Sequence, residues 1–204
     1  TITQVVNNAS ILGGTGADTL TVTGLVTSGY IQVGGTGNSL ISASGGIISS
    51  TLLGGSGADS FDFTASGVTT ARIIGGAGND TFTFTGVVSA ASIVGGTGND
   101  SISFGSLATT GLGAVSNTYF FGAGGGLDTL SFGSAPFSTA TQNFTIAVDS
   151  SFGATSSFTF TSATSVVSFG SATNNILLNG VTGVGANEIA SLGITFTTVA
   201  SSVI

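Results

Sequence analysis

The chain has no Lys, His, Cys, Met or Trp and a single Arg, Arg72. Each absence closes a route to function. Without imidazole, thiolate or amine side chains there is no His base, Cys nucleophile, Schiff-base Lys or nitrogen/sulfur metal site. With eight acidic residues against one Arg and a formal charge of −7, the chain cannot neutralise a phosphate backbone, which excludes nucleic acid as a partner. The lack of Cys rules out a disulfide framework. Apolar residues alternate with Thr and Ser and never run for the roughly 18 residues of a spanning helix. An outer-membrane barrel would need aromatic girdles, and beyond Phe the sequence offers only Tyr30 and Tyr119.

Glycine is abundant, at 35 of 204 residues, and much of it is ordered into a phrase. The phrase reads GGTGAD at 13–18, GGTGNS at 34–39, GGSGAD at 54–59, GGAGND at 75–80 and GGTGND at 95–100, with a degenerate AGGGLD at 123–128. Successive copies begin at Gly13, Gly34, Gly54, Gly75 and Gly95, a near-constant pitch, and after a longer interval at Ala123. A fixed pitch of this kind predicts an all-β fold, a parallel β-solenoid (β-roll or β-helix) of about 20 residues per coil. It spans 1–132, and 133–204 reads as a less regular β-rich continuation or cap. Strand-like runs there fall at 143–148, 157–161, 165–169, 175–178 and 194–199, with a candidate short helix at 186–192. Thr1 opens the chain without Met, and the sequence reads as a portion of something longer.

Within each coil two β-favouring runs are separated by a loop such as Gly24 to Gly29. Counting from the last residue of the phrase, the second and fourth positions are apolar in every copy: Leu20, Ile41, Phe61, Phe82, Ile102, Leu130, and Val22, Ala43, Phe63, Phe84, Phe104, Phe132. Side chains on a strand alternate faces, so these columns face a core. The intervening positions, including Thr19, Thr21, Ser42, Thr81, Thr83 and Ser101, form an outward ladder of short hydroxyls. Both residues before most glycine pairs are apolar, so Leu12, Val33, Leu53, Ile74 and Val94 form either an outward packing surface or a covered internal face.

The phrase also has the chemistry of a hard-cation site. Glycines let the backbone turn with positive φ and approach closely, and Asp adds an anionic oxygen. Carbonyl and carboxylate oxygens suit Ca²⁺, while the missing His and Cys argue against Zn²⁺ or Cu²⁺. Strands about 4.8 Å apart would bring the Asp of one turn near the carbonyls of the next. The candidate ligand set is Asp18; Gly54, Gly55, Gly57 and Asp59; Gly75, Gly76, Gly78 and Asp80; Gly95, Gly96, Gly98 and Asp100; and Asp128. A glycine-turn hairpin without metal is the alternative.

The phrase resembles the calcium β-roll repeat of the repeat-in-toxin (RTX) family, G-G-x-G-x-D-x-U-x with U large and apolar. Five copies match its glycines, and four of these carry the Asp. The resemblance covers about residues 11–132 and implies calcium-dependent folding. The family repeats its phrase twice per coil, on both sides, whereas here it comes once per coil, so calcium turns are expected on one side only. Ser39 replaces Asp in the second copy and weakens the sites beside it, leaving Asp59 with Asp80 and Asp80 with Asp100 as the best pairs. Asp128 follows an insertion, Leu107 to Thr118, expected to disturb register. Asp62, Asp149 and Glu188 lie outside the phrase and read as solvated acids. Of the glycosylation sequons, those at Asn79 and Asn99 fall inside the turns, and Asn8 and Asn143 are freer.

These features lead to an extracellular, cell-surface structural protein with no enzymatic activity of its own. Its expected association is with itself, as a lattice or fibre, in a bacterial surface layer, extracellular fibre or adhesin; bacterial surface-layer proteins and RTX adhesins are similar in composition and phrase. A second reading is binding to ice or to a cell-surface glycan. GTGND turns resemble those of an RTX-like ice-adhesion family, with ranks here of Thr15, Thr36, Ser56, Ala77, Thr97 and of Ala17, Asn38, Ala58, Asn79, Asn99. A third makes the solenoid the appendage of a hydrolase encoded elsewhere in a longer chain.

Overall fold

A computed structural model describes residues 2–64, 67–107, 116–132, 143–152, 159–161, 166–168, 174–179 and 194–200. They form an all-β structure built on two sheets. One sheet runs through Thr19–Val22, Leu40–Ala43, Ser60–Phe63, Thr81–Ser89, Ser101–Leu107, Leu127–Phe132 and Asn175–Asn179, each parallel to the next. The other runs through Ser10–Leu12, Tyr30–Gln32, Thr51–Gly55, Arg72–Ala77, Ser92–Thr97, Ser116–Phe121, Asn143–Asp149 and Ile194–Val199, again all parallel. Antiparallel pairing among the described residues is confined to Thr159–Thr161, Val166–Ser168 and Asn175–Asn179. The candidate helix at 186–192 lies outside the described residues. No helix among them is long and apolar enough to cross a membrane.

Register follows the apolar columns. Ile41 pairs with Phe61, Phe61 with Phe82, Phe82 with Ile102 and Ile102 with Leu130, and all five are fully buried. Equivalent side chains therefore lie one strand apart, close enough for aromatic rings to stack. Phe61 stacks on Phe82 at 4.7 Å between centroids, and Phe63, Phe84, Phe104 and Phe132 form a continuous file with spacings of 5.2, 5.4 and 5.7 Å. From the facing sheet, Ile31, Leu52, Ile73, Ile93 and Tyr119 pair in register and close the core. A one-residue slip would turn each column out to solvent, so the columns fix the pairing.

A third inward column sits where the loop at Gly24 to Gly29 was expected. Val26–Thr27 is a short strand between Val6–Asn7 and Ile47–Ile48, and the file Val6, Val26, Ile47, Val68, Val88 is buried. Strands this short cannot show alternation within one repeat. After each of them the chain turns through a left-handed residue that is not glycine: Asn8, Ser28, Ser49, Thr70 and Ala90, with φ between 50° and 55°.

Two further expectations change. The segment Leu107 to Thr118 does not disturb register: Ser101–Leu107 pairs with Leu127–Phe132 in step, and Ser116–Phe121 is a strand beside Ser92–Thr97. The described strands on either side of it stay aligned. The column Leu12, Val33, Leu53, Ile74, Val94 also breaks. Leu12 pairs with Gln32, and Gln32 with Leu53, so Gln32 holds the outward place and Val33 is buried. The cause is spacing: Gly34 lies one position further from Gly13 than Ile31 lies from its partner Ile11, so an extra residue enters before the glycines.

Candidate metal centre

The phrase turns are linked by their acidic residues. The Ser39 N–H donates to Asp59 Oδ1 at 2.7 Å, Asp59 N–H to Asp80 Oδ1 at 2.7 Å, Asp80 N–H to Asp100 Oδ1 at 2.9 Å and Asp100 N–H to Asp128 Oδ1 at 2.9 Å. Each carboxylate thus caps the backbone of the turn before it. Asp18 joins through Ser39, whose Oγ accepts the Asp18 N–H at 3.1 Å. Ser39 therefore keeps the ladder continuous while removing its charge. A second ladder runs on the exposed side, with Asn38, Asn79 and Asn99 Oδ1 accepting the N–H groups of Ala58, Asn99 and Leu127; here each side chain caps the turn after it. The Asn79 and Asn99 sequons are thereby committed to bonds between turns.

The second carboxylate oxygens set the chemistry. Asp59, Asp80 and Asp100 are 1–2% exposed, and the Oδ2 of each is buried outside hydrogen-bonding geometry, although the Gly55 backbone lies close enough to Asp59 to lower its carboxyl. Each lies against the first glycine of its own phrase. A Cβ added at Gly54 would strike Asp59 Oδ2 and the Gly75 carbonyl oxygen, and one at Gly75 would strike Asp80 Oδ2 and the Gly95 carbonyl oxygen. The first glycine is therefore the absence of a side chain that makes room for a carboxylate oxygen facing a carbonyl of the next turn. The second and third glycines serve backbone approach: Gly76, Gly78, Gly96 and Gly98 have φ of 119–124°, and a Cβ on any of them would meet the preceding turn.

Two turns depart from this pattern. The Gly13 N–H bonds to Gln32 O and the Val33 N–H to Leu53 O, which puts Val33 level with Gly13 and Gly54. Where Asp shortens to Ser39, a side chain thus replaces the glycine. At the other end, the oxygens a Cβ on Gly95 would meet first are Asp100 Oδ2 and the hydroxyl of Tyr119. That hydroxyl donates to Asp128 Oδ2 at 2.5 Å. Sequence reading missed Ser39 as a ladder member and both Val33 and Tyr119; the signal for Tyr119 was a phenol in a column otherwise made of Ile and Leu.

Burial dominates the electrostatics. It raises the carboxyl of Asp59, and pushes Asp80 to about 7, Asp100 to about 6 and Asp128 to about 8. Burial, and then the Asp128 charge, hold the Tyr119 phenol well above its ordinary range. Asp18 is half-buried and its Oδ2 accepts the Gly14 N–H at 2.7 Å. Of the acids outside the phrase, Asp149 is buried, not solvated, and caps the Ser151 N–H at 2.7 Å. Asp62 is half-buried beside Ser42 and Thr83 in the outward hydroxyl ladder, and its Oδ1 is buried without a partner. Glu188 and the side chain of Asn143 lie outside the described residues.

Among the described residues no group of three or more His, Cys, Asp or Glu gathers at metal-binding distance. The oxygens open to a cation are thus one or two carboxylates together with peptide carbonyls. Such a donor set, hard and without nitrogen or sulfur, fits Ca²⁺, and an orphaned anionic oxygen in a glycine cradle is where a cation would be held. No family model matches this chain, and comparison with curated proteins and with solved structures also gives no significant match.

Proposed function

We propose that the chain is a calcium-stapled parallel β-solenoid, secreted as a structural element of a bacterial surface layer, extracellular fibre or adhesin. The observation that carries this reading is the row of buried, unpartnered carboxylate oxygens at Asp59, Asp80 and Asp100. An ionised carboxylate without a partner costs several kcal/mol when removed from water. A divalent cation shared with the next turn's carbonyl removes that cost and ties two repeats together. Gly75 and Gly95 supply such carbonyls, and Asp59 and Asp80 the charge.

Strand partners lie one phrase period apart, as in Ile31 with Leu52 and Ile73 with Ile93, which supports a coil that closes once per phrase. Sites of the extracellular type bind Ca²⁺ at about 10⁻⁴ to 10⁻³ M, which fits calcium outside cells. A chain without His, Cys or Lys has few of the usual catalytic groups, in keeping with a part that assembles with copies of itself.

Electron microscopy of purified protein, with millimolar calcium and then with chelator, tests this directly. Ordered sheets or fibres that dissolve on chelation and return with calcium are expected. Identical particles and unchanged circular dichroism under both conditions would refute it. The alternative contact, with ice or a glycan, draws on the parallel hydroxyl columns such as Thr21, Ser42, Thr83 and Ser103. Asp62 interrupts them, and thermal hysteresis no greater than that of a control protein would remove the ice reading.

A further inference from the structure

We propose that the row of cation niches carries its own stop: the phenol oxygen of Tyr119 fills the niche beside Asp100, and Asp128 is a hydrogen-bond acceptor for Tyr119 and not a cation ligand. This rests on the calcium reading above and concerns how far along the chain it extends. In the niches at Asp59 and Asp80, an orphaned Oδ2 and the carbonyl oxygen of the next turn face the same first glycine. At Asp100 the orphaned Oδ2 is present, but the second oxygen near Gly95 is the Tyr119 hydroxyl.

Three features mark this oxygen as a plug. Tyr119 is fully buried, and it pairs with Ile93 in a column that is aliphatic in the preceding strands, so the hydroxyl is the polar addition of this one position. Its proton is committed to Asp128 Oδ2 at 2.5 Å, so Asp128 is the one ladder carboxylate, of the four that are buried, with both oxygens bonded. A cation needs oxygen lone pairs at about 2.3–2.6 Å and the volume between them; here a neutral O–H group occupies that volume. The consequence is a handover. Beyond this point the sheets continue from Leu127–Phe132 to Asn175–Asn179 and from Asn143–Asp149 to Ile194–Val199 without the phrase, and Tyr119 lets them do so without metal.

The experiment is the number of calcium ions bound per chain at saturation, by equilibrium dialysis, in the wild type and in Tyr119→Phe, Asp128→Asn and Asp80→Asn. Tyr119→Phe frees Asp128 Oδ2 and opens the space beside Asp100 Oδ2, so it should bind one ion more than the wild type. Asp128→Asn keeps the acceptor for the Asp100 N–H and should leave the number unchanged. An unchanged number in Tyr119→Phe, or one ion fewer in Asp128→Asn, overturns the proposal, and Asp128→Asn alone decides if Tyr119→Phe does not fold. Asp80→Asn should lower the number, which tests the underlying reading separately. A wild type that binds no calcium refutes that reading and this proposal with it, whereas loss in both Asp80→Asn and Asp128→Asn refutes this proposal only.

Discussion

Two sets of turns differ in composition, the phrase turns rich in glycine and charge, and those after the short strands nearly devoid of both. At the second set Asn8, Ser28, Ser49, Thr70 and Ala90 make the left-handed turn without glycine. Its inward position carries a neutral version of the same ladder. The Gly29 N–H donates to Ser50 Oγ at 3.0 Å, and Ser50 Oγ donates on to Ile48 O at 2.8 Å. The Ala91 N–H donates to Asn117 Oδ1 at 3.0 Å, while Asn117 Nδ2 donates to Val88 O at 3.1 Å. Every side-chain polar atom in that pair of contacts is satisfied. At the phrase corner Asp59, Asp80 and Asp100 make the same bond with one oxygen and leave the other buried and unpaired. Linking turns therefore needs only one acceptor, which the neutral corner supplies with Ser or Asn. The surplus oxygen is what singles out the phrase corner as a place for a ligand.

Breaking the phrase corner should have the largest effect. Gly76→Ala puts a Cβ at φ 122° against the Gly55 carbonyl and should cost about 3 kcal/mol in denaturant unfolding. Gly16→Ala, where a Cβ meets nothing within 4 Å, should change stability by less than about 0.5 kcal/mol. Equal losses would show that the glycines act through flexibility and not through close approach.

Asp80→Asn converts the charged corner toward the neutral one. It should stabilise the metal-free protein at pH 7.5, by about 1–2 kcal/mol, because the amide keeps the Asp59 N–H bonded and removes an unpaired buried charge. It should also blunt the response to calcium. A metal-free protein weakened by Asp80→Asn would mean that the ionised side chain has a protein partner.

The same difference predicts pH dependence. Burial raises Asp100 to about 6, Asp80 to about 7 and Asp128 to about 8, against about 3.9 in an unfolded chain. Between those values the folded chain holds more protons than the unfolded one, so metal-free stability is highest below pH 4 and falls as pH rises to about 8. Calcium favours the ionised form and should flatten or reverse this slope. Denaturation across that range, in chelator and in calcium, checks the sign; metal-free stability that rises with pH would contradict it.

A smaller gain belongs to the neutral corner. Thr70 holds a β-branched side chain at φ 55°, and Thr70→Gly should stabilise by about 0.5–1 kcal/mol, the relief of strain exceeding the entropy glycine loses. A loss of stability would assign Thr70 a packing role instead.

Much of this was legible because the fold repeats. The columns from Ile41 to Leu130 and from Val22 to Phe132 appear as apolar residues at fixed distance from the phrase, and parallel pairing in register is the physical result. The column from Val6 to Val88 was equally periodic but was hidden by the shortness of its strands. Val33 misled because it directly precedes a glycine like Leu12 and Leu53, yet backbone bonds put it level with the glycines themselves. The Asp positions could be read from the phrase. Their direction, one oxygen spent on the preceding turn and the other turned to a glycine cradle, depends on contacts between repeats that no single repeat contains. Tyr119 stood out only as a phenol in an aliphatic column; its role was hidden for the same reason, because its partner Asp128 belongs to the next phrase.

The central claim is that the surplus oxygens of Asp59 and Asp80 hold calcium between turns. Thermal unfolding at pH 7.5, with free calcium raised in tenfold steps above the dissociation constant, tests it most directly. Each step should add about 1.4 kcal/mol of stability per site, seen as a rising Tm, with a smaller rise in Asp80→Asn. A Tm that is the same in chelator and in 10 mM calcium (about tenfold above the weakest extracellular-type site) would contradict it.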